Sequence, residues 1–532
     1  MKRRNRTTQL RAHVEKALAW TVVIAGLHVI AAQQKEVAVP VQTESTYVLK
    51  SGLGNVRGLR EGGLLKFLGL RYAQAPTGER RFLPPLPAGR WDGTYDATQY
   101  RNRCVQPPQP YLGDLTGSLD EDCLFLNVVT PSLEGTSRPV LFWIHGAALV
   151  NGSANEYDGS KLAAQGDVVV VTINYRLGLL GFLSLSSFGT EFEGSNSNGF
   201  LDQIVALEWV RDNISDYGGD PNNVTIFGES TGGQSVLAIL ASPAADRLYH
   251  KAIAHSPGTI DDQPPPNLID PLAAHLGTSH EDLIESLRGL SSADLLAAQL
   301  AIPSVGAGVD GHVITRSTNA AIAERGSQGV PLIAGSNKDE GKFFTAVYEY
   351  LLGPDVQMPA ESFARFVTGG EDPTGYLDGL KALHPDASAP EVVEQIWVDL
   401  FRRAAIGAVT TATTEGAGGW LYQFDLQSTV PFLGHSVGAA HAAEISFTFN
   451  LYNTDDPGLA AFYDPEDPVV RDLAKRWSDT IIQFAKTGNP NGAGLPHWPR
   501  YNADARATLV LDAETRIEHD LNRAQRLLWD RD

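Results

Sequence analysis

Residues 218–233 read GGDPNNVTIFGESTGG, and this stretch decides how the rest of the chain is interpreted. Residues 218–221 predict a turn, the β-branched run at 224–227 predicts a short strand, and residues 235–241 predict a helix. The pentapeptide GESTG between strand and helix centres on Ser230 and fits the pattern G-x-S-x-G. A sharp strand-to-helix turn holds such a serine in a strained conformation with its hydroxyl exposed. In a chain with 52 glycines the alternative is an ordinary Gly-Ser turn, but the context favours a nucleophile.

Outward from this stretch, apolar runs of strand length alternate with amphipathic runs of helix length. Continuous β-branched runs such as VVVVTIN are typical of strands that are covered on both faces. The alternation predicts an α/β protein built on a sheet with helices around it. The predicted strands are residues 140–144, 168–174, 251–255, 331–335 and 420–424, and the longer predicted helices are residues 199–213 and 470–486.

Composition indicates an ordinary globular chain. Of its 532 residues, 43% are hydrophobic and 20% are charged, with no internal repeat or long low-complexity tract. We interpret residues 33–532 as a single domain, because a division would separate residues that the chemistry requires together. The formal net charge of −20 argues against nucleic acid as a partner, since phosphate binding needs a basic face. No cofactor is signalled, and the oligomeric state is not predictable.

The first 32 residues differ from the rest of the chain. Four cationic residues at positions 2–6 precede an almost wholly apolar run at residues 17–32. This order predicts a secretory signal peptide at residues 1–32, and therefore a secreted or periplasmic protein. The apolar run is shorter than the roughly 20 residues that span a bilayer. An uncleaved anchor and a twin-arginine export signal are the alternatives, and we expect no stable membrane insertion of the mature chain.

The chain has two cysteines, Cys104 and Cys123, which are 19 positions apart. In an exported protein an even count favours one disulfide, whereas in a reducing compartment two free thiols would be the default. Closing a loop of this size would stabilise the fold by about 3 kcal/mol. Two cysteines alone cannot form a structural zinc site, and we expect no metal.

Several motifs in a fixed order resemble the type-B carboxylesterases, the family that also contains the cholinesterases. The resemblance extends from about Tyr47 to Leu528. It implies an α/β-hydrolase fold, in which a central, mostly parallel, twisted sheet is flanked by helices. It also implies a Cys104–Cys123 bridge and a small-molecule ester substrate. The motifs that carry it are FLGLRYA (67–73), RFLPP (81–85), EDCLFLNV (121–128), NYRLG (174–178), DQ (202–203), the stretch 218–233, GNPN (488–491) and WP (498–499).

A serine hydroxyl needs a base to take its proton and an acid to orient that base. With 13 histidines and 62 acidic residues, chain order alone cannot choose these partners. The resemblance selects Glu340, the acid of the motif NKDEG, in preference to its neighbour Asp339. It selects His441, the histidine of GAAHAAE, in preference to His435, which lacks the motif. Ser230, His441 and Glu340 are therefore the expected catalytic triad.

The expected oxyanion hole departs from the family pattern. The family usually has HGGGF, where this chain has HGAAL at residues 145–149. The resemblance implies the backbone N–H groups of Ala147, Ala148 and Thr231 as donors. Alanine keeps the donor, but it carries a steric penalty wherever the backbone requires a positive φ. We therefore expect a narrowed or altered choice of substrate.

Two further departures concern rigidity and ligand choice. Thr278 and Ser286 stand where many relatives have a second pair of cysteines. In cholinesterases, the loop between the two cysteines supplies an aromatic platform for a quaternary ammonium group. Here it lacks tryptophan and has Tyr111 as its only aromatic residue, so the resemblance implies that choline esters are disfavoured. The chain is expected to be a serine ester hydrolase that forms an acyl-enzyme. The rival is a non-catalytic binding or adhesion protein, a class whose members in this family have lost triad residues.

Overall fold

The computed structural model describes residues 45–530 except 109–115, 136, 326–328, 354–355, 357, 415–416, 455–461 and 493. The predicted signal peptide and Tyr111 lie outside the described residues. Within the described ranges, no helix combines the length and apolar character needed to cross a membrane.

A mixed thirteen-stranded sheet organises the described part of the chain. Its strand order is β1-β2-β3-β7-β9-β8-β10-β11-β12-β13-β14-β15, and β4 pairs with β2 at one edge. The seven neighbouring strands from β9 to β14 in this order are parallel, which confirms the predicted fold class. The strands of this sheet are β1 Ser45–Ser51, β2 Gly54–Glu61, β3 Leu64–Arg71, β4 Thr94–Asp96, β7 Phe125–Thr130, β8 Arg138–Ile144, β9 Val169–Ile173, β10 Gly219–Glu229, β11 Lys251–His255, β12 Leu332–Asn337, β13 Gly419–Phe424, β14 Ala507–Leu511 and β15 Arg516–His519. Two short strands, β5 Arg103–Cys104 and β6 Leu119–Asp120, pair with each other outside it.

Helices connect the parallel strands and cover the sheet. They are α1 Ser160–Gly166, α2 Gly178–Phe182, α3 Asn198–Asn213, α4 Thr231–Ala241, α5 Ile269–Leu276, α6 Leu283–Gly289, α7 Ser292–Leu300, α8 Thr318–Arg325, α9 Glu340–Leu352, α10 Ala360–Val367, α11 Thr374–Leu383, α12 Ala389–Thr414, α13 Ile445–Thr448, α14 Pro468–Thr487 and α15 Arg523–Arg526. The two long predicted helices, 199–213 and 470–486, match α3 and α14 to within two residues at each end.

The core consists of two apolar layers, which successive residues of the central strands face in alternation. In β8, Phe142 packs in one layer, while Leu141 and Trp143 pack in the other. Every residue of β9 is buried, which explains why these strands read as continuous apolar runs.

One predicted turn is wrong in extent. Only Gly218 forms the turn, with φ of 83°, and strand β10 begins at Gly219. Gly219 pairs with Arg138 of β8, and the register then shifts before Val224. The residues between Gly219 and Val224 therefore pair irregularly with β8. Pro221, which has no N–H to donate, is one of them.

The two cysteines are joined. The sulfur atoms of Cys104 and Cys123 form a disulfide, so the alternative of two free thiols is wrong. Thr278 and Ser286 stand where many relatives have a second pair of cysteines, and their hydroxyls lie 2.9 Å apart and share a hydrogen bond.

The carboxyl ends of the parallel strands meet at one edge of the sheet. β8 ends at Ile144, immediately before the segment HGAAL, and β10 ends at Glu229, immediately before Ser230. β12 ends at Asn337, three residues before Glu340. This edge is where ligands of open α/β sheets bind.

Candidate active site

Ser230 occupies a strained turn between β10 and α4. Its backbone has φ of 58° and ψ of −123°, a conformation that costs a non-glycine residue about 1–3 kcal/mol. A Cβ on Gly228 would lie 2.6 Å from the backbone of Gly232, and one on Gly232 would lie 2.2 Å from the carbonyl oxygen of Ile144. Both glycines are therefore required by close backbone approach. The N–H of Ser230 donates to the carbonyl of His255 at 2.9 Å, which ties the turn to β11.

Glu340 and His441 are in direct contact, although they are 101 positions apart. Their Oε2 and Nδ1 atoms lie 2.5 Å apart, and both side chains are fully buried. The other carboxylate oxygen of Glu340 accepts hydrogen bonds from the Ser256 hydroxyl and the Asn337 N–H, both at 2.7 Å. These donors orient the carboxylate toward the imidazole.

The second ring nitrogen of His441 faces the end of β10. Its Nε2 lies 3.1 Å from Oε1 of Glu229, the residue that directly precedes Ser230. Nε2 makes no hydrogen bond to any residue in the described ranges, Ser230 included. The structure therefore joins the predicted acid and base directly, and it brings the free nitrogen to the strand end that carries the predicted nucleophile.

Asp339, the acid that sequence reasoning set aside, connects the site to the histidine segment. Its Oδ2 accepts from the Ala439 N–H at 3.0 Å and from Gln427 Nε2 at 2.9 Å. Its own N–H donates to the Ala439 carbonyl at 2.9 Å. Asp339 thus holds the approach to His441 by backbone hydrogen bonds, a role that its place in the same motif could have suggested. The competitor His435 instead lies 3.5 Å from Glu349 and is about 40% exposed.

Three buried carboxyl groups, those of Glu229, Glu340 and Glu444, interact electrostatically in this region, and the first two contact His441. Burial, reinforced by the charge of Glu340, raises the pKa of Glu229 well above its usual range. Burial and the neighbouring charges of Glu229 and Glu340 raise the pKa of Glu444 to about 8. Asn337 donates to Glu444 Oε2 at 2.5 Å. At neutral pH, Glu444 is therefore mainly protonated.

Aromatic rings cover the histidine. The ring of Phe401 stacks on that of His441 with centroids 4.5 Å apart, and the Phe344 centroid lies at 5.0 Å. Phe344 follows Glu340 by one helical turn, so its position was predictable from spacing. Phe401 belongs to α12, and no motif in the sequence marks it.

The segment HGAAL lies against the nucleophile. A Cβ on Gly146 would lie 3.0 Å from Cβ of Ser230. Ala147, Ala148 and Leu149 have φ of 75°, 59° and 62°, so three successive side chains occupy the left-handed region. This conformation costs an L-residue roughly 1–2 kcal/mol. Among the described residues, no backbone carbonyl accepts a hydrogen bond from the N–H of Ala147 or Ala148.

The disulfide supports this segment through one glutamine. Gln106, two residues after Cys104, accepts from the Gly152 N–H and donates to the Gly152 carbonyl, each at 3.0 Å.

Across the described part of the chain, no group of three or more His, Cys, Asp or Glu side chains is arranged to hold a metal ion.

Comparison with known proteins gives concordant results over almost all of the chain beyond its first 43 residues. The profile of the carboxylesterase family matches residues 44–368 and 371–529. Para-nitrobenzyl esterase of Bacillus subtilis (strain 168) is 37% identical over 504 residues, which cover 89% of this chain and 96% of that protein. Cocaine esterase of Homo sapiens is 32% identical over 509 residues, which cover 90% and 89%.

Solved structures agree. A PNB esterase structure superposes with a TM-score of 0.80 at 33% identity, covering 91% of this chain and 99% of that one. A carboxylesterase of Geobacillus stearothermophilus superposes with a TM-score of 0.79 at 33% identity, covering 91% and 100%.

Proposed function

We propose, since this chain belongs to the carboxylesterase family and is a carboxylic ester hydrolase, that Ser230, His441 and Glu340 form its catalytic triad. The observation that carries the proposal is the 2.5 Å contact between Glu340 and His441, whose free Nε2 faces the end of β10. The strained backbone of Ser230 supports the assignment, because a nucleophile in this fold stands on such a turn.

The first half of the reaction forms an acyl-enzyme. His441 Nε2 takes the proton of the Ser230 hydroxyl as its oxygen attacks the ester carbonyl carbon. Glu340 holds the imidazole in the tautomer that leaves Nε2 free, and it stabilises the imidazolium that results. The tetrahedral intermediate then collapses, the C–O bond to the alcohol breaks, and the alcohol leaves with the proton from His441.

Water completes the cycle. His441 removes a proton from water, whose oxygen attacks the acyl carbon, and the second tetrahedral intermediate releases the acid as Ser230 regains its proton. In both intermediates we assign the oxyanion to the N–H groups of Ala147, Ala148 and Thr231. Loss of one such donor costs roughly 3–4 kcal/mol of transition-state stabilisation.

The names of the relatives and the residues of the HGAAL segment indicate the class of substrate. Relatives named for para-nitrobenzyl and cocaine esters indicate small organic esters. The segment HGAAL carries two alanine side chains where the family usually has glycines, so we expect bulky acyl groups to react slowly.

We also propose that residues 33–532 form one catalytic domain, because the proposed triad joins the ends of β10 and β12 to a segment after β13. The order of basic and apolar residues at positions 1–32 supports export to the periplasm or the medium.

The decisive experiment compares matched histidine and serine variants on a chromogenic short-chain ester. We expect Ser230→Ala and His441→Ala each to lower kcat by at least about 10⁴-fold. The matched controls His435→Ala and Ser279→Ala should keep wild-type rates, since both side chains are exposed. Retention of activity in Ser230→Ala would exclude the triad. No turnover on a broad ester panel, with Ser230 unreactive, would instead support the rival binding protein.

A further inference from the structure

The HGAAL segment, residues 145–149, has an unfavourable backbone conformation. Ala147, Ala148 and Leu149 all have a positive φ, and each carries a Cβ that glycine would lack. A segment of this kind keeps its conformation only when surrounding contacts determine it. Contacts with neighbouring residues must therefore hold its N–H groups in position relative to Ser230.

Most of the hydrogen bonds around the segment are local or lead away from Ser230. Val150 and Asn151 donate to the Ala147 carbonyl at 3.1 and 3.0 Å, and the Leu149 carbonyl accepts from Gly178 at 2.8 Å. One bond has a different direction. The N–H of Leu149 donates to Oγ1 of Thr231 at 3.2 Å.

Thr231 directly follows the nucleophile and begins α4. Its hydroxyl therefore links the left-handed segment to the same residue whose backbone N–H is assigned to the oxyanion. Leu149 is only 3% exposed, so without this acceptor its N–H would remain buried and unpaired. The segment would then relax toward another partner and carry Ala147 and Ala148 with it.

We infer that the hydroxyl of Thr231 is a positioning group for ester hydrolysis, which sets the distance between the oxyanion donors of the HGAAL segment and the donor on α4. The inference rests on the proposed oxyanion hole and deepens it. Thr231 acts through Leu149, because its hydroxyl accepts the Leu149 N–H. This bond stabilises the left-handed backbone of a segment in which alanine and leucine are strained. The bond matters most when charge develops on the substrate oxygen.

The test uses three variants of the full chain with the chromogenic ester. Thr231→Val keeps the shape and removes the acceptor, Thr231→Ser keeps the acceptor, and Thr231→Ala serves as a second removal if valine disturbs folding. We expect kcat to fall about 10- to 100-fold in the valine and alanine variants, with KM within about twofold. Thr231→Ser should stay within about threefold of wild type.

A second measurement separates positioning from general loosening. A trifluoromethyl ketone adds to the serine and places an oxyanion in the hole, so it reports transition-state binding. Its affinity should fall in Thr231→Val by the same factor as kcat, while affinity for the alcohol product stays unchanged.

Equal kcat and ketone affinity in Thr231→Val and wild type would overturn the inference, as would an equal loss in Thr231→Ser. A Ser230→Ala variant with turnover contradicts the triad itself, whereas an unchanged Thr231→Val variant contradicts only the role of the hydroxyl.

Discussion

The histidine side and the oxyanion side of the site are held in different ways. Glu340 and His441 are fixed by hydrogen bonds between side chains and by full burial. Ala147, Ala148 and Leu149 are fixed by backbone conformation, in a region that disfavours their side chains. In the proposed mechanism, proton transfer depends on the distances between side chains, whereas oxyanion binding depends on the direction of backbone N–H groups. The backbone N–H groups are present whichever side chain follows them, but alanine and leucine add strain at a positive φ.

The largest effect should come from the histidine side. Glu340→Gln keeps the shape of the acid but no longer dictates which nitrogen of His441 carries the proton, so we expect kcat/KM to fall by about 10⁴-fold. Steady-state kinetics with the chromogenic ester measure this. Glu349→Gln, whose carboxylate lies beside His435, is the control and should be near wild type. A loss below tenfold in Glu340→Gln would mean that another group orients the imidazole.

Removing the disulfide tests the support of the oxyanion side. Replacing Cys104 and Cys123 by serine should lower the free energy of unfolding by about 3 kcal/mol, because the reduced unfolded chain has more freedom. Urea unfolding under oxidising conditions measures the difference, and wild type treated with a reductant should match the variant. Because Gln106 carries this constraint to Gly152, we expect kcat to fall more than KM rises. Unfolding curves that coincide would contradict the expectation.

The buried Glu444 makes the histidine side sensitive to pH. Its pKa is about 8 in the folded state against an ordinary value of 4.5, so the folded chain keeps a proton that the unfolded chain releases in between. Its contribution to stability is therefore complete below pH 4.5 and is lost as pH rises toward 8, by up to about 1.4 kcal/mol per unit.

Glu444→Gln cannot release this proton. The free energy of unfolding of the variant should decline less steeply between pH 5 and 8 than that of wild type, as measured by urea unfolding at each pH. Glu281→Gln, at an exposed position, is the control and should follow the wild-type slope. Parallel slopes for Glu444→Gln and wild type would show that Glu444 is ionised in the folded state.

The smallest expected effect tests the strain. Ala148→Gly should raise the free energy of unfolding by up to about 1 kcal/mol, because glycine occupies the left-handed region without penalty. Ala297→Gly, at an exposed position inside α7, should lower it by a similar amount. If both variants lose stability equally, the backbone at Ala148 is not strained.

Much of the fold could be predicted from local pattern. Parallel strands buried on both faces must be apolar throughout, so runs such as VVVVTIN stand out, and the GESTG turn is bounded by glycines that backbone packing requires. The extent of the turn at residues 218–221 was not predictable, because β10 there follows β8 through a register shift that no local rule describes.

Some residues of the candidate site could be predicted from the sequence, and others could not. The predicted acid and base do meet, because each lies in a continuous motif. The stacking of Phe401 on His441 depends on α12 packing across the site, and the bond from Leu149 to Thr231 spans 82 positions. Contacts of this kind follow from tertiary packing, and the residues concerned carry no local signal.

Covalent labelling shows whether Ser230 is the reactive nucleophile. A fluorophosphonate forms a stable bond with a serine only when a base activates the hydroxyl and donors accept the developing charge. We expect one adduct per chain, located on Ser230 by peptide mass spectrometry, with loss of esterase activity in proportion, and no adduct in His441→Ala. Full esterase activity in a chain whose Ser230 stays unmodified, or an adduct on another residue that abolishes activity, would contradict it.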